Sequence, residues 1–209
     1  MPKFSEKELI AVKKILHQKG KELFIEYGLK KTSIDDIVQA CDIAKGSFYK
    51  FFSSKEELYF DILKSEEEDY LKIYNSIIDS KENGADLIST LIKNLWLFHS
   101  SNAFLQLFYE RNEVQNLIRK IPQEEIQHYT EAQRQKFINS VGNLQTDGRI
   151  KSIKPEIIEG LVRGALLLTL QKRRIGEHLF EDVMNYIIEF IGIGLEAKET
   201  TYENGELLI

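Results

Sequence analysis

The sequence predicts an all-α protein, on three observations. Apolar side chains recur at spacings of three and four along the 209 residues, and no run alternates apolar with polar residues as a strand would. Only 3 prolines occur, Pro2, Pro122 and Pro155, each where a helix can begin or a connection can sit. Serine followed three residues later by Glu or Asp occurs at Ser5/Glu8, Ser33/Asp36 and Ser54/Glu57, the pairing that satisfies the free amides of a helix N-terminus. About nine helices are expected from this pattern.

The first helix starts at the Ser5/Glu8 box, with Phe4 and Leu9 placed to clamp its start as a hydrophobic staple. Leu9, Val12, Leu16, Leu23, Phe24 and Tyr27 define its inner face, Gly20 fills the gap between them, and Gly28 ends it. A short second helix opens at Thr32 and Ser33, with Ile34, Ile37 and Val38 facing inward. Cys41, Asp42 and Ile43 separate it from another short helix, Lys45 to Phe52. Ser54 with Glu57 then caps a long fourth helix running from Lys55 toward Ile78. Two short helices joined by a turn of about three residues, between longer ones, have the spacing of a helix-turn-helix.

Further helices are expected at Ala85 to Ser100, Ala103 to Arg119, Gln123 to Asn143, Pro155 to Arg174 and Leu179 to Ala197. Breaks fall at Asn83-Gly84, Pro122, Asp147-Gly148 and Gly176. The acidic run Glu66 to Asp69 reads as a solvated helix face. Residues 199–209 show no periodicity and are expected to form a disordered tail.

With 43% hydrophobic and 29% charged residues the composition is that of a globular protein, which excludes collagen-like and largely disordered chains. The longest apolar stretches, such as Leu161 to Leu170, fall short of the roughly 18 to 20 residues a membrane span requires. No signal-peptide pattern opens the sequence, so a cytoplasmic protein is expected. The single Cys41 forms no internal disulfide and reads as a small packed hydrophobe. His17, His99, His128 and His178 are scattered without metal spacing, and neither a nucleophile elbow nor a phosphate-cradling glycine loop is present. No enzyme, metal site or cofactor is therefore expected. The net charge of −5 is unevenly spread: Met1 to Lys64 carries 12 Lys and no Arg against 10 acidic residues, while the remainder is acidic.

The segment TSIDDIVQACDIAKGSFYKFFSSKEEL, Thr32 to Leu58, resembles the DNA-binding domain of the TetR/AcrR family of bacterial transcriptional regulators. The resemblance rests on the TSI opening, the Asp36-Ile37 pair, the KGSFYKFF third helix and the SKEEL start of the fourth, with LFIEYG ending the first helix. Two positions depart from the pattern: Ala44 leaves the third helix without a side-chain N-cap, and Lys19-Gly20 stands where a small pair is frequent. The resemblance implies a helix-turn-helix domain over residues 1–52, a ligand-binding and dimerisation domain over 53–198 with the fourth helix as connector, and a repressor that binds a palindromic double-stranded DNA operator as a homodimer until a small-molecule effector releases it.

Residue chemistry agrees with that implication. Gly46 permits close approach to a base edge, Lys45 can reach guanine O6 or N7, Ser47 can donate to a base or phosphate, and Tyr49 and Lys50 suit the backbone. Thr32 and Ser33 at one helix start and Lys55 at another are candidate phosphate contacts. The last two long helices are apolar on more than one face, so Gly160, Leu161, Gly164, Leu167, Leu168, Met184, Ile187 and Ile191 are the expected dimer contacts. Trp96, Phe104, Phe108, Tyr129 and Phe137 could line an apolar pocket, with His99, Arg111, Arg134 and Arg163 to orient a ligand. Arg111 and Arg163 would suit an acid, while Glu110, Glu113 and the aromatics would suit a cation, so ligand charge stays open. The alternative is a helical dimer of the same shape acting through a protein partner.

Overall fold

The computed structural model describes residues 5–80, 84–110, 117, 120–196, 202–203 and 206–207. The helices run α1 (Glu6–Tyr27), α2 (Ile34–Ala40), α3 (Lys45–Phe48), α4 (Lys55–Ile78), α5 (Gly84–Ser101), α6 (Ala103–Glu110), α7 (Gln123–Thr146), α8 (Pro155–Leu167), α9 (Lys172–Ile175) and α10 (Phe180–Gly194). A 3-10 turn, Leu168–Gln171, joins α8 to α9, so the single helix expected from Pro155 to Arg174 is three pieces. In the tail, Tyr202–Glu203 pairs antiparallel with Glu206–Leu207.

The predicted N-terminal boxes form. Glu8 N donates to Ser5 Oγ while Ser5 N donates back to Glu8, and Ser33 and Asp36 exchange the same pair of bonds. At α4, Glu57 N donates to Ser54 Oγ at 3.1 Å, but Glu57 reaches back to Ser53 N at 2.6 Å, one residue earlier than the box predicts. Phe4 of the expected staple lies outside the described residues. Gly28 ends α1 at φ 81°, a conformation that favours glycine. Asp42, at φ 53° in the turn before α3, is one of the few non-glycine types that tolerate this region. Helix α3 is shorter than the expected Lys45 to Phe52: beyond Phe48 the bonds tighten, with Lys50 N on Ser47 O and Phe51 N on Phe48 O.

The chain divides into two compact units. The first comprises Met1–Leu71 with Phe98–Tyr129, the second Lys72–Leu97 with Thr130–Ile209. The division differs from the boundary expected at residue 52, for a packing reason. Leu58, Tyr59, Phe60, Ile62 and Leu63 of α4 and Phe104, Leu105 and Phe108 of α6 share one core with Leu16 and Phe24 of α1, Ile37 of α2 and Phe48 of α3. Tyr59 is the node of that core, its ring centroid 5.0 Å from Phe24 and 4.5 Å from Phe104. Gly20 lets α1 approach α4: a Cβ there would stand 2.9 Å from Leu58 Cδ2. The second unit packs α5, α7, α8 and α10 around Leu87, Ile92, Trp96, Val141, Ile158 and Met184.

The acidic run in α4 is only half solvated. Glu68 and Asp69 are exposed, whereas Glu66 ion-pairs with Lys21 at 2.7 Å and accepts from Asn102, the residue whose Oδ1 caps α6. Glu67 accepts from Tyr129 Oη, and burial raises its pKa. A polar clamp also ties α1 to α4: His17 Nε2 and Lys13 Nζ lie 2.8 and 2.9 Å from Asp61 Oδ2. The hydrogen bond with His17 and, after it, Lys13 hold the Asp61 pKa far below the usual carboxylate range against the opposing effect of burial. A carboxylate with a depressed folded pKa stabilises the fold above its unfolded pKa, and that contribution is lost as pH falls through the folded value. Asp61→Asn is therefore expected to lower the melting temperature at pH 7, with the difference from wild type shrinking as the pH is taken below the ordinary carboxylate range. A difference independent of pH would contradict the ion-pair origin.

Candidate nucleic-acid interface

The predicted contacts fall into two groups in the structure. Lys45, Gly46, Tyr49 and Lys50 are exposed along α3 and the turn that follows, and Ser47 is half-buried beside them. No atom lies within 4 Å of a Cβ built on Gly46, and its φ is not in the left-handed region. Neither packing nor backbone conformation within the chain requires glycine there, although glycine in a helix costs about 1 kcal/mol against alanine. Tyr49 leans edge-on against buried Phe48, ring centroids 5.6 Å apart, and so presents its phenol from a fixed base. Ala44 supplies no side-chain cap, as expected, and Ser47 N bonds its carbonyl at 2.8 Å.

Thr32 and Lys55 form the second group, and the structure corrects their expected role. Thr32 is buried, and its Oγ1 donates to Gly28 O at 2.9 Å. Lys55 Nζ donates to Leu29 O at 2.7 Å, Thr32 O at 2.6 Å and Lys30 O at 3.3 Å. Both side chains are spent on the turn between α1 and α2 and are not directed to a phosphate. Ser33 remains exposed, with its hydroxyl engaged in capping Asp36. The same turn exposes Lys30 and Lys31 immediately before α2, cations the motif reading passed over although their adjacency was visible in the sequence.

The ligand candidates belong to both units. In the first unit, Phe104 and Phe108 lie in the core against Tyr59, Tyr129 stacks edge-on to Phe60 at 5.5 Å, and burial pushes the His99 pKa down to about 4. In the second, Phe137 packs on Tyr74, while Arg134 and Arg163 converge on Glu159 at 3.8 and 3.1 Å. Trp96 is 7% exposed, and its Nε1 has no hydrogen-bond partner among the described residues. Arg111, with Glu113, lies outside the described residues. Cys41 is buried, donates to Ile15 O at 3.7 Å, and has its pKa pushed up to about 11 by burial, which suits a packed side chain and not a nucleophile.

The dimer candidates split by register. Gly160, Leu161, Gly164 and Leu167 line an exposed stripe of α8, with open space over both glycines. Met184 is fully buried in the core of its own unit, and Leu168, Ile187 and Ile191 are half-buried. The exposed stripe of α10 is instead Tyr186, Phe190 and Ile193, with Phe190 at 66% exposure. A helix apolar on every side does not reveal from sequence which stripe its own core takes.

Residues 17–62 match the family of bacterial regulatory proteins, tetR family. The chain is 34% identical over 100 residues to the HTH-type transcriptional repressor KstR2 of Rhodococcus jostii, a match covering 46% of this chain and 47% of that one. It thus spans about half the length of that curated relative. The fold is shared with a transcriptional regulator of the TetR/AcrR family from Thermobifida fusca, at TM-score 0.66 and 19% identity over 90% of this chain and 98% of the other. It is shared equally with the transcriptional regulator FadR of Bacillus subtilis, solved in complex with stearoyl-CoA, at TM-score 0.66 and 15% identity over 87% and 98%.

The two groups of site residues are separable by experiment. Lys55→Met is expected to lower the unfolding free energy by about 2 kcal/mol, because three carbonyls lose a charged donor. Denaturant titration measures this; an unchanged midpoint would return Lys55 to the list of phosphate contacts.

Proposed function

We propose, on the match of residues 17–62 to the tetR family of bacterial regulatory proteins, that the chain is a DNA-binding repressor of that family, acting as a homodimer and released by a small-molecule effector. The observation that carries the DNA reading is Gly46, open to solvent at the head of α3 among Lys45, Ser47, Tyr49 and Lys50. A duplex can approach that backbone closely, base edges meeting Lys45 and Ser47 while Tyr49, Lys50, Lys30 and Lys31 meet phosphates. A purely protein-partner role leaves these side chains without a use.

One such domain offers a small interface, so two are expected on a two-fold operator. The dimer surface proposed is the stripe of Gly160, Leu161, Gly164 and Leu167 on α8 with Tyr186, Phe190 and Ile193 on α10. Contiguous exposed apolar side chains at helical spacing favour burial against a second copy.

Release is proposed to pass through α6. Phe104 rests on Tyr59, and Tyr59 on Phe24, so α6 cannot shift without disturbing α4 and α1, which carry the helix-turn-helix. An effector that prefers the shifted state displaces the population toward it, and operator DNA must weaken that effector by the same factor. The buried Trp96 Nε1 favours an effector with an acceptor oxygen, since an unpaired buried donor costs about 1–3 kcal/mol. An acyl molecule of the kind held by the FadR relative fits that requirement.

Selection of bound sequences from random duplex DNA, then titration at several salt concentrations, tests the main reading. A palindromic winner is expected, with affinity abolished by Gly46→Leu at an unchanged or higher melting temperature. Lys50→Ala is expected to flatten the slope of log K against log salt by about 0.9 per half-site. Binding without sequence preference would refute the repressor. Trp96 is the sole tryptophan, so its fluorescence reports its own surroundings. Stearoyl-CoA is expected to change that emission and to lower operator affinity; no response in either would remove the acyl effector.

A further inference from the structure

The lysine at the head of α3 is not a free cation. Lys45 Nζ lies 2.8 Å from Oδ1 and 3.0 Å from Oδ2 of Asp35, so the first turn of α2 reaches across the helix-turn-helix to the first residue of α3. The hydrogen bond to Asp35 raises the Lys45 pKa. Both side chains face solvent, Asp35 at 71% exposure and Lys45 at 50%. Folding gives the carboxylate only a modest reason, the favourable placing of a negative charge in the first turn of α2. Asp36, not Asp35, closes the capping box, and an ion pair this exposed adds little to stability. The Asp35 carboxylate has no other ion-pair or hydrogen-bond partner among the described residues. On a surface that is to meet a polyanion it is a repulsive charge, so its effect is to be sought in what it excludes.

We propose that Asp35 is a specificity-determining residue and that the Asp35–Lys45 pair reads one G·C base pair as a unit. The inference rests on the DNA-binding reading above. An ammonium has three N–H donors, and two suffice for the Asp35 oxygens, which leaves one for guanine O6, the acceptor that lies next to the cytosine amino group. The carboxylate keeps lone pairs that can accept from the neighbouring cytosine N4 amino group. The major-groove edge of G·C sets an acceptor beside a donor in that order. Replacing it by A·T puts the adenine amino group against the ammonium and thymine O4 against the carboxylate, two mismatches from one substitution. Inverting the pair to C·G also opposes like with like. Because the pair carries no net charge, Lys45 is also withheld from indiscriminate phosphate binding, where a lone lysine would release a counter-ion at any sequence.

The test is sequence selection and salt-dependent titration with the full chain, wild type beside Asp35→Asn, with circular-dichroism melting as the control on folding. For wild type, an operator is expected with a G·C pair symmetrically placed in each half-site, whose exchange for A·T weakens binding about 5- to 150-fold. For Asp35→Asn, discrimination at that position alone should collapse to a few-fold. Binding to random duplex should strengthen, with a log–log salt slope steeper by about 0.9 per half-site as Lys45 is freed for phosphate. A merely structural role for Asp35 would shift the melting temperature and leave the base preference at that position intact. Asp35→Asn that selects the same operator with the same discrimination overturns this inference alone. A wild-type chain without sequence preference overturns the DNA-binding reading and the inference with it.

Discussion

Helices of seven and four residues cannot hold themselves together in water, and α2 and α3 are such helices. Everything on the α3 surface depends on the support that α1 and α4 give them. That support is built from specific contacts. Gly20 brings α1 against Leu58, the Lys55 ammonium fixes three carbonyls of the turn before α2, and the Asp61 clamp joins the two long helices on their polar side. Phe48, fully buried, anchors α3 into the core these helices enclose. The exposed residues of α3 then stand on a rigid base although their own helix is a single turn.

Local signals in the sequence were reliable where the partner of a side chain lies within a few residues. The Ser5/Glu8 and Ser33/Asp36 boxes, Gly28 at the end of α1 and the missing cap at Ala44 all follow from chemistry confined to one turn. The same local reasoning places Thr32 and Lys55 at a phosphate, whereas both side chains bond within the chain. The partners of Lys55 are carbonyls of the turn before α2, 23 to 26 residues earlier, and spacing along one helix does not reveal such a pairing, whereas the Thr32 hydroxyl turns to Gly28 O only four residues back, inside a turn that the fold buries. Glu66 and Glu67 repeat the lesson, since a run of four acids reads as a solvated face while Lys21, Asn102 and Tyr129 draw two of them inward.

The division of the chain was illegible for a related reason. A boundary at residue 52 follows from where the expected third helix ends, but the core does not stop there. Tyr59 of α4 packs against both α1 and α6, so α6 shares one core with the bundle of α1 to α4. Displacing Phe104 means repacking against the residue that also supports Phe24.

The buried thiol of Cys41 has a practical side. It sits where α2 ends, shielded by α1, and its pKa of about 11 leaves almost no thiolate at neutral pH. At 8% exposure it meets alkylating reagents slowly in the folded state, so its modification rate rises with local opening around α2 and serves as an intrinsic clock for that opening. With no second cysteine in the chain, that clock needs no engineered background, and it can be run with DNA or effector present.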